Sequence, residues 1–191
     1  MKSVLIIDGS KEFWESKTKL TALLCEVAKN ELESMGIVVN STRIDDGYDP
    51  MVEMEKFLEN DAVIWQFPSW FMGETWVMKK YIDEVFMEIM AKTGGSDGSS
   101  SSDPSKRYGT GGKLDRKYMF SSTWNAPAYA FDKGEFFDGN SLEDVYYHLH
   151  KAHEFIGMKP LPSFMCNDVV KNPQVDKYVS EYKAHLKKVF G

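Results

Sequence analysis

The stretch IWQFPSWFMGETWVMKKYIDEVF, residues 64–86, joins a buried strand to an amphipathic helix and decides how the rest of the chain is interpreted. Its first part is continuously apolar, as in a strand that a parallel sheet buries on both faces. Its last part repeats apolar residues at helical spacing. Between the two parts, Trp70 and Phe71 lie in a turn, and large apolar rings in a surface loop usually cover something.

The same alternation of strand and helix continues along the chain. Strands are predicted at residues 3–8, 37–44, 62–67, 117–122 and 161–166. Helical patterns span residues 20–35 and 76–89, start at Pro50, run from Ser141 to Gly157, and start again after Pro173. Five strands that alternate with helices predict one α/β domain over residues 1–191, with a five-stranded parallel sheet and helices on both faces. Pro162 places the last strand at a sheet edge.

Composition excludes several classes of protein. The chain has 191 residues, of which 42% are hydrophobic, and this fits a folded domain rather than a disordered chain. The net charge of −6 argues against a nucleic-acid partner. No apolar run is long enough to span a membrane or to form a signal peptide, so we expect a cytoplasmic protein. Cys25 and Cys166 are expected to be buried, reduced thiols.

Ligands of an open parallel sheet bind beyond the carboxyl ends of its strands. The loop after the first strand has neither a GxGxxG fingerprint nor a phosphate-binding GKS or GKT motif. It ends in Ser16, Lys17 and Thr18 at a helix start, where free N–H groups and a lysine favour an anion. The alternative is that Ser16 or Thr18 only caps the helix.

The loops after the third and fourth strands, residues 68–73 and 123–127, each combine tryptophan, proline and small residues. Aromatic walls and approachable backbone N–H groups are typical of a slot for a flat heteroaromatic ring. The alternative is that all these tryptophans are core residues. We expect Trp65 and Trp76 in the core, because they continue strand and helix patterns, and Trp70 and Trp124 in the slot.

Several motifs together resemble one family. They are QFPSWFMG (66–73), KKYID (79–83), DPSKRYGTGG (103–112), TWNAP (123–127) and GMKPLP (157–162). The combination, which extends over essentially the whole chain, is similar to the NAD(P)H:quinone reductases related to DT-diaphorase. This resemblance implies a flavodoxin-like fold, a homodimer, bound FAD rather than FMN, and NADPH or NADH as electron donor. It also implies two-electron reduction of quinones by a ping-pong hydride mechanism.

The resemblance also assigns residues. It implies that the flavin's pyrophosphate and ribityl chain lie on Ser16, Lys17, Thr18, Lys19, Leu20 and Thr21. It places the isoalloxazine ring against Pro68, Ser69, Trp70 and Phe71, and its polar edge on Thr123, Trp124, Asn125 and Ala126. Tyr108 reaches the site from the long loop, either as a catalytic hydroxyl donor to the quinone or as a packing lid. No metal is expected.

Three other functions stay open at this stage. They are an FMN-dependent azoreductase or nitroreductase, a non-catalytic electron-transfer flavodoxin, and a flavin-free regulator. The bulky loop of residues 92–112 favours an enzyme, since it makes sense over a substrate slot. We expect residues 94–102 of this loop to be mobile or held by a partner subunit, and residues 103–112 to be ordered. His148, His150 and His153 on one helix are interpreted as surface or interface residues.

Overall fold

The computed structural model describes all residues, 1–191, and contains one parallel sheet in the order β2-β1-β3-β4-β5. The strands are β1 (Ser3–Asp8), β2 (Val38–Arg43), β3 (Ala62–Pro68), β4 (Lys117–Thr123), β5 (Lys159–Pro160) and β6 (Phe164–Cys166). β5 and β6 both pair in parallel with β4. The predicted parallel sheet is therefore confirmed. Of the predicted edge strand at residues 161–166, only β6 forms, since Pro162 has no N–H for the ladder, and β5 lies before the predicted range.

Helices cover both faces of this sheet. They are α1 (Lys19–Ser34), α2 (Pro50–Glu59), α3 (Trp76–Thr93), α4 (Leu142–Val145), α5 (Tyr147–Ile156) and α6 (Val175–Phe190). α1 and α6 pack on the face that Val4 and Ile6 of β1 share, while Leu5 and Ile7 point into the core under α2, α3 and α5. No helix of the structure is long and apolar enough to cross a membrane.

The chain from Ser141 to Gly157 was predicted as one helix, and this prediction is wrong at one position. Tyr146 has φ −92° and ψ 20°, which ends α4 and precedes α5. Its ring is fully buried, with ring centroids 5.4 Å from Phe67 and 5.7 Å from Trp124. The break therefore accompanies the insertion of a large side chain into the core. The predicted helix start at Ser141 is confirmed, and a capping box formed by Ser141 and Asp144 begins α4.

Residues 94–112 form a closed loop rather than an extended linker. Ser96 N–H donates to the Gly111 carbonyl at 3.2 Å, and Gly109 N–H donates to the Asp97 carbonyl at 2.6 Å. At its end, a Cβ on Gly112 would lie 2.3 Å from the backbone nitrogen of Gly157, so the loop packs directly on the end of α5. The expected mobility of residues 94–102 is a dynamic property that a single conformation does not test, so it stays a prediction.

His153 of α5 lies in the core, where the sequence suggested a surface or interface position. Its Nδ1 donates to the Leu149 carbonyl at 2.7 Å, its Nε2 has no partner, and its ring stacks on Tyr118 at 4.2 Å. Burial lowers the pKa of this imidazole from 6.5 to about 3, because desolvation disfavours the charged form.

We predict that His153→Phe makes the protein more resistant to acid. The unfolded chain binds a proton on this imidazole below about pH 6.5, whereas the folded protein binds it only near pH 3. The stability that depends on neutral His153 is therefore complete above pH 6.5 and is lost as the pH falls, by about 1.4 kcal/mol per unit. Urea unfolding at pH 7 and pH 5 measures this loss. Parallel pH dependence in the variant and the wild type would contradict the prediction.

Candidate functional site

Backbone hydrogen bonds set the three post-strand loops side by side at the carboxyl edge of the sheet. Gly9 N–H donates to the Gln66 carbonyl at 2.9 Å, and Ser69 N–H donates to the Thr123 carbonyl at 2.9 Å. Trp124 N–H donates to the Cys166 carbonyl at 2.8 Å. The loops after β1, β3 and β4 therefore leave the sheet next to one another, as the sequence predicts for a parallel sheet.

Two tight turns face each other at this edge. Residues 13–16 and 70–73 are each closed by an isolated antiparallel bridge. In the second turn, Phe71 has φ 47° and Met72 has φ 67°, values that bulky residues rarely adopt. Such strain is typical of functional sites. The turn leaves Phe71 with its side chain entirely exposed, so within this chain Phe71 covers nothing.

An aromatic cluster joins the two turns. The Phe13 ring lies 5.6 Å from Trp70 and 4.9 Å from Trp76, and the two tryptophan rings lie 5.3 Å apart. These rings form one side of a cavity of about 580 Å³, which we call the slot. The slot is lined by Phe13, Trp14, Glu15, Ser16, Ser69, Trp70, Phe71, Glu74 and Trp76. Its size lies in the range that small-molecule sites occupy.

The sequence assigned Trp76 to the core, and this prediction is wrong. Trp76 is half exposed, because it is the first residue of α3 and its ring projects past the sheet edge into the slot. Phe13 and Trp14 of the slot were missed. The signal that identified Trp70 and Phe71, adjacent rings in a post-strand loop, would have identified this pair as well.

Trp124 contributes to the core rather than to an open wall. Its side chain is only 4% exposed, and its Nε1 donates to Ser122 Oγ at 2.8 Å. The ring packs edge-on against Phe131 and Phe137 at 5.5 and 5.6 Å. The expectation of a turn tryptophan outside the core is therefore wrong, because residues after β4 fold back over the ring. Its edge borders a smaller hollow of 240 Å³ that Ser69, Phe71 and Ala126 also line.

The start of α1 presents unpaired backbone N–H groups beside the slot. Thr18 precedes the helix with φ 54° and ψ 5°, and its side chain makes no capping bond, so the alternative of a side-chain cap at Thr18 is wrong. Ala22 is the first residue whose N–H bonds back, to the Thr18 carbonyl at 3.0 Å. Arg43, the last residue of β2, donates to Thr18 Oγ1 at 3.5 Å and also pairs with Asp46 at 3.1 Å and Asp8 at 3.8 Å, so its charge beside the helix is shared with two carboxylates. The helix N-terminus itself favours an anion.

The other predicted residues divide by position. Lys17 and Lys19 are exposed, Leu20 is partly buried, and Thr21 is buried on the inner side of α1. Pro68 and Ala126 are partly buried at the edge, Asn125 is exposed, and Thr123 is buried at the end of β4.

Tyr108 lies away from the slot of its own chain. Its ring is 74% exposed and sits 5.5 Å from Phe155 at the end of α5. It lines a different hollow of 340 Å³, together with residues of the middle and far end of α3 such as Phe86 and Met90. The structure therefore does not bring Tyr108 to Trp70 within one chain, which the sequence could not reveal.

Comparison with known proteins agrees with this fold. The family described as having a flavodoxin-like fold matches residues 2–189. NADPH:quinone oxidoreductase MdaB of Haemophilus influenzae is 51% identical over 191 residues, which cover 99% of this chain and 100% of the relative. An uncharacterized protein of Schizosaccharomyces pombe is 47% identical over 190 residues, 98% of this chain and 97% of the relative.

Solved structures give the same fold at low identity. A putative quinone reductase from Klebsiella pneumoniae superposes with a TM-score of 0.77 at 19% identity, over 98% of this chain and 85% of the other. General stress protein 14 of Treponema denticola, in complex with FMN, superposes with a TM-score of 0.66 at 16% identity, over 98% and 99% of the two chains. The chain thus belongs to the flavodoxin-like family. Within it, the chain belongs to the quinone oxidoreductase family that the sequence motifs indicated.

Proposed function

We propose that the protein is a flavin-dependent NADPH:quinone oxidoreductase. The observation that carries this proposal is the aromatic slot beside the uncapped start of α1, a combination that suits a flat ring with a phosphate tail. The name of the Haemophilus influenzae relative supports the reaction class. When bound, the flavin supplies the two-electron hydride chemistry, and the protein supplies binding and orientation.

The residues present fit a flavin. The tail would lie along Ser16 to Thr21, where the free N–H groups of α1 would donate hydrogen bonds to phosphate oxygens. The ring would lie against Pro68, Ser69, Trp70 and Phe71. The backbone of residues 123–126 would meet its polar edge. We propose FAD rather than FMN because Arg43, the last residue of β2, places its guanidinium next to Thr18 and would offer a donor for a second phosphate, and release of the flavin with identification by mass tests this choice.

NADPH and the quinone occupy the open side of the slot in turn, which is the ping-pong order of substrates. Trp14 and Phe71, which are 86% and 101% exposed, supply apolar surface for these planar ligands. Steady-state rates at several fixed quinone concentrations test the order, because ping-pong kinetics give parallel double-reciprocal lines. Assays with NADH, with azo dyes and with nitro compounds separate this function from the azoreductase and nitroreductase alternatives.

A second copy of the chain completes the slot in this proposal. Tyr108 lies far from the slot of its own chain, so it can contact substrate only at the slot of another copy. Large exposed side chains near it, among them Met87, need cover of the kind that a partner subunit gives. Sedimentation that finds a fully active monomer at assay concentrations would contradict the homodimer.

We predict that Trp70→Ala weakens flavin binding up to about tenfold. One aromatic contact with the ring is worth about 0.5–1.5 kcal/mol, and the variant also removes support for Phe13 and Trp76. Fluorescence titration of flavin-free protein measures the dissociation constant. Tyr147→Ala, which removes an exposed ring outside the slot, is the matched control and should leave the affinity unchanged. Equal affinities for Trp70→Ala and the control would contradict the site.

We predict that Tyr108→Ala raises the Michaelis constants or lowers turnover while flavin content stays near normal. The reason is that Tyr108 of a second copy of the chain, in the proposed homodimer, would border the substrate side of the slot and not the tail site. Tyr108→Phe separates the two roles of this residue. If Phe restores wild-type kinetics, the ring acts by packing, and if it does not, the hydroxyl takes part. Wild-type kinetics in Tyr108→Ala would remove Tyr108 from the site.

A further inference from the structure

Glu74 is an acidic side chain that faces the slot and has a single partner. It lies two residues before the start of α3 and lines the slot, and its side chain is only 9% exposed. Its Oε2 is 2.9 Å from His148 Nε2 of α5. A nearly buried carboxyl among aromatic rings is costly unless it is hydrogen-bonded, so the bond to His148 is what allows it there.

His148 connects this carboxyl to water. Its side chain is 54% exposed, although its Nε2 contacts Glu74. The two residues therefore form a short hydrogen-bonded path whose outer end is in solvent and whose inner end is in the slot. Histidine exchanges protons readily near neutral pH, which suits the outer position in such a path.

No other group near the slot offers the same path. Glu15 is the other charged residue that lines the slot, and it is exposed and has no hydrogen-bonded partner. On the neighbouring helices, Lys79 pairs with Asp83 and Lys151 pairs with Glu154. The Tyr146 hydroxyl lies deeper and has no hydrogen-bond partner, and burial raises its pKa, so it holds its proton.

We propose that Glu74 gives a proton to the quinone oxygen in the slot and that His148 replaces this proton from solvent. The inference rests on the proposed function. Conversion of a quinone to a hydroquinone takes one hydride, which comes from NADPH and leaves NADP⁺, and one further proton. The Glu74 O–H bond breaks as the hydroquinone O–H bond forms. The Nε2–H of the imidazolium then reprotonates the carboxylate, and the imidazole recovers its proton from water.

A purely structural role of the bond between Glu74 and His148 predicts a different effect of substitutions at position 74. If Glu74 and His148 only tied α5 to the turn before α3, an amide at position 74 would keep the tie. Glu74→Gln retains the size and the hydrogen-bond acceptor of the side chain, but the amide cannot act as an acid and transfer a proton to the quinone. Glu74→Ala removes both functions. Comparison of the two variants therefore separates proton transfer from tethering.

The kinetic experiment compares two acceptors with the same pre-reduced, flavin-loaded protein. A quinone needs a proton as well as electrons, whereas ferricyanide takes an electron and no proton. In single-turnover mixing, Glu74→Gln is expected to slow quinone reduction at least about tenfold and to leave ferricyanide reduction unchanged. Glu143→Gln is the matched control, because Glu143 of α4 pairs at 2.6 Å with His150, which lies on α5 like His148, and this pair is outside the slot. The control should change neither rate.

A second measurement needs no flavin. Nitrogen NMR of the imidazole in flavin-free protein should show His148 Nε2 protonated and hydrogen-bonded in the wild type, and this bond should be absent in Glu74→Ala. A wild type without the bond overturns the proposal. Unchanged quinone rates in Glu74→Gln, or equal slowing with both acceptors, overturn it as well. A wild type that reduces no quinone contradicts the proposed function itself. In that case the NMR result still tests whether His148 and Glu74 are hydrogen-bonded.

Discussion

The place where the backbone ladder of the parallel sheet ends determines the rest of the site. Beyond β1, Gly9 still pairs with Gln66, and its carbonyl accepts a 2.5 Å bond from Thr75 Oγ1, just before α3. A Cβ on Gly9 would lie 3.2 Å from both Phe67 Cβ and Met78 Sδ, so glycine lets the first loop cross this close to β3 and α3. This crossing brings the turn of Phe13 against the turn that follows β3. Without it, the two turns would not share one slot.

The conformation of the turn at residues 70–73, which forms part of the slot, depends on a balance between backbone strain and aromatic stacking. Positive φ at Phe71 and Met72 costs on the order of 1–3 kcal/mol for each residue. Two backbone bonds between Trp70 and Gly73, at 2.9 and 3.2 Å, close the turn, and two aromatic pairs, with Phe13 and Trp76, hold Trp70, each worth about 0.5–1.5 kcal/mol. Phe71 gains no packing in this arrangement. The turn therefore holds an apolar ring in water, and a planar ligand or a second subunit that covered the ring would recover that cost.

The sequence predicted the fold well because the fold depends on local patterns and on the ends of strands. Strand β1 and the start of α2 at Pro50 were both predicted, since an apolar run or a proline at a helix start is recognisable within a few residues. The site was predicted less well. Helical periodicity assigned Trp76 to the core, but periodicity does not say where a helix passes the sheet edge. Burial of Trp124 depends on a later segment that contains Phe131 and Phe137, and the separation of Tyr108 from Trp70 depends on the length of α3. These are tertiary relations that no local pattern encodes.

The break at Tyr146 explains how one short helix serves both the core and the slot. Leu149 and His153, four positions apart in α5, share the face that is buried in the core, and His148 lies on the opposite, outward side with a half-exposed side chain. On most of α5 that direction leads to water. At the first turn it leads to the loop before α3, because the break lets α5 begin beside Glu74. His148, which points outward from α5, therefore contacts the Glu74 carboxylate, which points into the slot from the loop before α3. The proton path and the aromatic walls therefore come from different elements, and a change in one need not disturb the other.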